Sequence, residues 1–168
     1  MRHSWLFGAI LAVVVLIAGA SWAARTIAQS ATPPNGAETA KVETLTLVEH
    51  NAHTTDVDVG DPGPSVGDLR VWGPNPLFDA TNTSDTGATT QGTCVALNSS
   101  FACVLTETIV FPDESTLQFQ GVELGGATPS TRTIVGGSGN YLGATGTAAV
   151  APTDDFSLWT RTIEIIRP

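Results

Sequence analysis

The carboxylate of greatest chemical interest in this chain is Glu49, which closes the alternating run KVETLTLVE over Lys41–Glu49. Leu45, Leu47 and Glu49 share one face of that strand, and Val42, Thr44, Thr46 and Val48 share the other. If the leucine face is the core, a carboxylate points inward. Its pKa then rises unless hydrogen bonds or a cation offset the desolvation. Acidic side chains are seldom buried, so periodicity alone favours a solvated Glu49 at the rim.

Downstream, His50 and His53 form an H-x-x-H pair, with Asp56, Asp58, Asp61 and Asp68 behind it. The spacing lacks the third ligand and closing Glu of a calcium hand, so a solvated acidic loop is a better reading than a metal site. The only other histidine is His3, so no Ser-His-Asp arrangement can be built outside this loop. Gly136–Gly146, GGSGNYLGATG, looks superficially like a nucleotide loop. Phosphate-binding glycine loops open a helix after a parallel strand, and this segment has neither a helix pattern nor a Lys. It reads as a tight turn between strands, and no cofactor is expected.

Cys94 and Cys103 flank VALNSSFA, a strand–turn–strand segment. With Asn98-Ser99 as a two-residue loop, Cys94 falls directly opposite Cys103 on one face of a hairpin. A disulfide is expected there in an oxidising compartment; two buried thiols or one functional thiol are the alternatives.

The elements that must hold these residues are strands. The chain has 168 residues, 17 Gly, 10 Pro and only 14% charged residues, a composition unlike that of a helical bundle. Strand-like stretches occur at Lys41–Glu49, Leu69–Asp79, Thr90–Leu97, Phe101–Val110, Ser115–Val122, Thr131–Val135, Thr147–Val150 and Phe156–Ile166. Asn51–Asp68 reads as a long loop and Thr81–Gly87 as a polar turn. Eight short strands fit either a sandwich or a closed barrel. Seven basic residues face 16 acidic ones, a net charge of −9. That balance argues against nucleic acid and anionic membrane surfaces as partners of the mature form.

Residues 1–23 read as a signal peptide, with Arg2 and His3, an apolar run from Leu6 to Ala20, and small residues at Ser21 and Ala23. Cleavage gives a secreted, periplasmic or extracellular protein; retention gives a membrane anchor. Residues 24–40 read as a disordered linker and 41–168 as the folded domain.

IVGGSGNYLGATG, at Ile134–Gly146, resembles a turn shared by dirigent proteins and allene oxide cyclases, roughly I-x-G-G-x-G-x-[FY]-x-G-A-x-G. Lys41–Asn51 is similar to the cyclase segment K-V-x-x-L-x-V-Y-E-x-N, with Val48 in the aromatic position. Asn75-Pro76-Leu77-Phe78 and Gly92-Thr93-Cys94-Val95 resemble N-x-L-[FY] and G-x-C-V, in the same order. This resemblance implies an all-β, eight-stranded antiparallel barrel, lipocalin-like in shape, with a central apolar cavity. It turns Glu49 inward, where it would stabilise positive charge after opening of an epoxide. Asn51 and Asn75 would hold a water near the developing oxyanion, and Leu45, Leu47 and Cys94 would line the substrate cavity.

Three functions follow as expectations. The chain is an isomerase of cyclase type that steers an unsaturated apolar molecule, a non-turnover barrel for a lipid or phenolic ligand, or a dirigent-like protein that orients an intermediate made by another enzyme. Related barrels are often homo-oligomers.

Overall fold

A computed structural model describes residues 41–167, and the expected signal peptide and linker lie outside the described residues. Nine strands follow in order: β1 (Lys41–His50), β2 (Thr54–Val57), β3 (Leu69–Phe78), β4 (Asp85–Ala96), β5 (Cys103–Val110), β6 (Thr116–Glu123), β7 (Ser130–Ser138), β8 (Thr145–Pro152) and β9 (Leu158–Arg167). All pairings are antiparallel. β3 to β9 run in sequence order, β9 pairs with β1 along ten residues, and β1 returns to β3 at Val48↔Phe78 and Glu49↔Leu77. The result is a closed eight-stranded antiparallel barrel, as the resemblance implies.

The ninth strand corrects the expected Asn51–Asp68 loop. Thr54–Val57 pairs with Leu69–Trp72 of β3, on the edge that β1 leaves free because its seam with β3 is so short. Four exposed residues carry no periodic signal, and pairing to an edge already in place is what makes them a strand. Within the remaining loop, the Asp68 carboxylate accepts from the Val59 and Ser65 backbone amides, at 2.9 and 2.7 Å. Those bonds hold Asp68 below the usual carboxylate range. β4 also starts earlier than expected, at Asp85, inside the stretch read as a polar turn.

The barrel's two ends differ. At one end, Leu47, Leu77, Ile109, Leu117, Phe119, Ile163 and Ile165 form a continuous buried cluster with Leu45 packed against it. Full burial of such side chains stabilises the fold by about 1.5–3 kcal/mol each. The glycine-rich segment read as a turn belongs to this end, but its outer residues are strand: Gly136 to Ser138 finish β7, and Thr145 and Gly146 begin β8. It contains a 3-10 turn at Gly139–Tyr141, and Tyr141 packs on Phe111 with ring centroids 4.7 Å apart. Gly146, at φ +135°, passes so close to Glu164 of β9 that a Cβ would lie 1.9 Å from its carbonyl oxygen. Gly137 is likewise confined, since a Cβ there would lie 2.5 Å from the Tyr141 carbonyl oxygen.

A bulge in β3 sets the chemistry of the other half. The register between β3 and β4 shifts between Trp72 and Asn75, so both side chains are buried although three positions apart. Trp72 needs room, and Gly92 on β4 supplies it. A Cβ there would lie 2.4 Å from both the indole ring and the Thr106 carbonyl oxygen.

Cys94 and Cys103 form a disulfide with Cα atoms 5.6 Å apart. The expected register is off by two residues: Cys94 lies opposite Leu105, and Cys103 opposite Ala96. The loop is four residues, Asn98–Phe101, rather than two. The Leu97 amide donates to the Ala102 carbonyl, and the Asn98 side chain accepts from the Ser100 and Ala102 amides. Phe101 takes a left-handed φ of 61°. The cysteines are thus diagonal neighbours on one face, still close enough to bridge. Replacing both by serine should destabilise the domain by about 2–3 kcal/mol, from the chain entropy of so short a loop, as a lower denaturant midpoint with the barrel's circular dichroism retained.

Candidate functional site

Six polar side chains from six strands meet inside the barrel above the apolar cluster: Glu49 (β1), Asn75 (β3), Thr90 (β4), Glu107 (β5), Arg132 (β7) and Arg161 (β9), all buried. Glu107 is the hub. It accepts from Thr90 Oγ1 at 2.8 Å, from Arg161 Nε and Nη2 at 3.2 and 2.7 Å, and from Arg132 Nη1. Arg161 Nη2 also pairs with Glu49, and Arg132 Nη2 reaches Glu123 at 3.1 Å. The chain Glu49–Arg161–Glu107–Arg132–Glu123 thus crosses the interior.

Burial by itself would raise the Glu107 pKa; the two guanidiniums, with the Thr90 hydroxyl, outweigh it and hold the carboxyl at about 2. Burial would likewise lower Arg161, but Glu107 and Glu49 hold it above its ordinary value, so it stays protonated. Glu123 goes the other way. Desolvation raises its pKa, and Arg132 and Arg70 offset that only in part.

Above this layer opens a cavity of ≈ 670 Å³. Its walls include Trp72, Phe101, Phe156 and Trp159, with Glu49, Glu123, Arg132 and Arg161 among its polar groups. The rim carries Asp56, whose carboxylate accepts from Arg70 Nε and Nη2 at 2.7 and 3.0 Å, while Arg70 also lies over the Phe101 ring at 4.3 Å. Floor and rim are tied together through Asn75. Its Nδ2 donates to Glu49 Oε1 at 2.6 Å, and its Oδ1 accepts from the His53 amide at 2.8 Å.

Glu49 is buried inside the barrel at 3% exposure and lines the cavity, not the solvated rim that periodicity favours. Asn75 lies beside it. Asn51 does not join them: it is exposed, donates to the Phe156 carbonyl at 3.1 Å and accepts from Thr54 Oγ1, so it anchors the β8–β9 loop at the mouth. Asn51 thus lines the cavity from its rim, while Asn75 is held at both ends by protein groups. Leu45 and Leu47 belong to the sealed apolar end and do not line the cavity, because residues two apart on a strand climb about 7 Å along the barrel. Cys94 does line it, as half of the disulfide rather than as a thiol.

His50 stacks on Phe78 at 4.0 Å, with Nε2 2.6 Å from Asn82 Oδ1. Among the described residues, no three His, Cys, Asp or Glu are grouped to hold a metal. The sequence reading missed Thr90, Glu107, Glu123, Arg132 and Arg161. A signal was present: Arg132 and Arg161 alternate in phase with Ile134, Ile163 and Ile165, so each cation sits on an apolar strand face.

No protein-family model matches the chain, and no curated protein matches it. Solved structures do. A pterocarpan synthase dirigent protein is 20% identical at a TM-score of 0.66, covering 84% of this chain and 98% of its own. A pyocyanin demethylase is 23% identical at 0.63, covering 73% and 99%. A Diels-Alderase from Streptomyces koyangensis is 22% identical at 0.60, covering 79% and 71%.

Arg161→Met should destabilise the protein by about 3–5 kcal/mol at neutral pH, because Glu49 and Glu107 lose a shared cation while buried. Glu107 is held far below its ordinary 4.5, so the stability it contributes is present above that value and is lost as pH falls toward about 2. A denaturant series across that window should show a shallower acid slope for Glu107→Gln than for wild type.

The architecture is that of the dirigent and cyclase barrels.

Proposed function

We propose that the protein is an exported barrel that binds one unsaturated small molecule and fixes its conformation for stereoselective ring closure, in the manner of a cyclase or dirigent protein. The observation that carries this reading is the cavity itself. Four aromatic side chains wall a volume of ≈ 670 Å³ over a charged layer whose members are held by one another. That size and mixture suit a small organic ligand. Walls of this kind exclude water and select one conformer, which is the main contribution a protein can make to an intrinsically fast ring closure.

The names of the structural neighbours support the class: one is a pterocarpan synthase dirigent protein, and another is a Diels-Alderase. An allene oxide derived from a fatty acid is the specific substrate suggested by the Lys41–Asn51 resemblance. On it, Glu49 would face the positive charge that develops as the epoxide opens. Arg161 and Asn75 leave free lone pairs on its carboxylate, since an ionised carboxylate has about four acceptor positions.

The same engagement of Glu49 supports a second reading, a binding barrel without turnover. A carboxylate already neutralised by Arg161 is a weaker stabiliser of developing charge than a free one.

The two readings separate in one experiment. An allene oxide is generated in situ from a fatty acid hydroperoxide with wild-type protein or Glu49→Gln, and the cyclopentenone is resolved by chiral chromatography. One enantiomer in excess, lost in Glu49→Gln, supports the cyclase reading. A racemic product unchanged by the protein rejects that substrate, and native mass spectrometry of the purified protein then tests whether the barrel carries a ligand.

A further inference from the structure

The buried ion network is short of positive charge. It holds three carboxylates, Glu49, Glu107 and Glu123, against two guanidiniums, Arg132 and Arg161. The next charges outward, Arg70 and Asp56, pair with each other and leave the deficit unchanged. An uncompensated charge in such surroundings is expensive, and a proton removes it most simply.

The three carboxylates are not equivalent. Glu107 is enclosed by Thr90, Arg132 and Arg161 and does not line the cavity. Glu49 has Arg161 on one oxygen and Asn75 on the other. Glu123 has one partner: Arg132 Nη2 reaches its Oε2 at 3.1 Å, and its Oε1 takes no hydrogen bond from the described residues. Its side chain is 13% exposed and forms part of the cavity wall, opposite Cys103 in the β5–β6 register.

We propose that Glu123 is the proton-exchange residue of the cavity, holding the network's missing proton and presenting it to an oxygen of the bound molecule. The proposal rests on reading the cavity as a small-molecule site. In the step, the O–H bond of the Glu123 carboxyl breaks as an O–H bond forms on a carbonyl or epoxide oxygen of the ligand. The electron pair stays on Glu123, and Arg132 takes up the carboxylate charge. When the ring-closed product releases a proton, the carboxylate recovers it, so an isomerisation leaves composition and oxidation state unchanged.

The groups facing Glu123 are Arg132 from β7, Arg70 from β3, Glu107 from β5 and, at longer range, Arg161 from β9. The desolvation that raises its pKa acts in the direction the proposal needs.

Two measurements on the full protein test it. The first is a pH titration by carbon NMR of protein labelled at the glutamate carboxyl carbons, with Glu123 assigned by its absence in Glu123→Gln. Its midpoint should lie above that of an ordinary glutamate; a midpoint at or below the ordinary value overturns the proposal. Glu123→Gln resembles the protonated form. Stability that Glu123 contributes is present at low pH and lost as pH rises through its raised folded value. The variant should therefore match wild type below the midpoint and resist denaturant better above it; equal stability at both overturns the proposal.

The second measurement uses 9-fluorenone, a flat aromatic ketone, with binding by calorimetry and the carbonyl stretch by infrared. Wild type should bind it about three- to tenfold more tightly below the Glu123 midpoint than above, with the stretch at lower frequency below it. In Glu123→Gln neither quantity should change with pH. Binding that is pH-independent in wild type sinks the proton-exchange role and leaves the small-molecule reading standing. No fluorenone binding, with Glu123 titrating high, sinks both the transfer step and the aromatic-cavity reading on which it rests.

Discussion

Two arginines on one glutamate, in the middle of a barrel, are the contact on which the rest of this structure depends. Glu107 receives Arg132 from β7 and Arg161 from β9, so three strands are joined through one carboxylate across the interior. A buried ion cluster of this kind is weak evidence for added stability, because desolvating its members offsets the attraction between them. Its consequence lies in what it forbids. A slip of one residue in β5, β7 or β9 would turn a buried charge to the outside and an exposed residue inward, leaving its former partners unpaired. Register and network therefore support one another.

The network also divides the barrel into two environments. On one side the apolar cluster fills the interior, as side chains can in a barrel of eight strands. On the other side the same charged layer becomes the floor of a cavity with aromatic walls. Asn75 passes the order of the floor to the rim, through Glu49 below and the His53 amide above. On the proposed reading, groups held in this way would need little reorganisation on binding, which is the condition for fixed dipoles to steer a reactive molecule.

The glycine-rich turn behind the resemblance to dirigent proteins and allene oxide cyclases seals the closed end, away from the cavity. It is shaped by backbone contacts such as that of Gly146 with Glu164. A turn shaped by backbone contacts reports on architecture and is silent on chemistry, as expected where one fold hosts many activities. The likeness to dirigent and cyclase structures at 20–23% identity carries the same content, a shared barrel.

Much of the fold was legible because strand information is local. Alternation over Lys41–Glu49 and the shared face of Cys94 and Cys103 follow from side chains that point to opposite sides at successive residues, and the turn between β7 and β8 follows from glycines that take a left-handed backbone. What was not legible depends on contacts between distant segments. β2 exists because β1 leaves part of β3 unpaired. Trp72 and Asn75 both face inward because of a bulge beside a glycine, which simple alternation would place differently. Leu47 and Glu49 share a face, yet one lies in the apolar plug and the other at the cavity floor. The sequence by itself thus determined which side chains face which way along most strands. Only the closed sheet decided which of them meet, because the tilt and stagger of the strands set the height at which each inward residue arrives, and that height brought Glu107, Arg132 and Arg161 together.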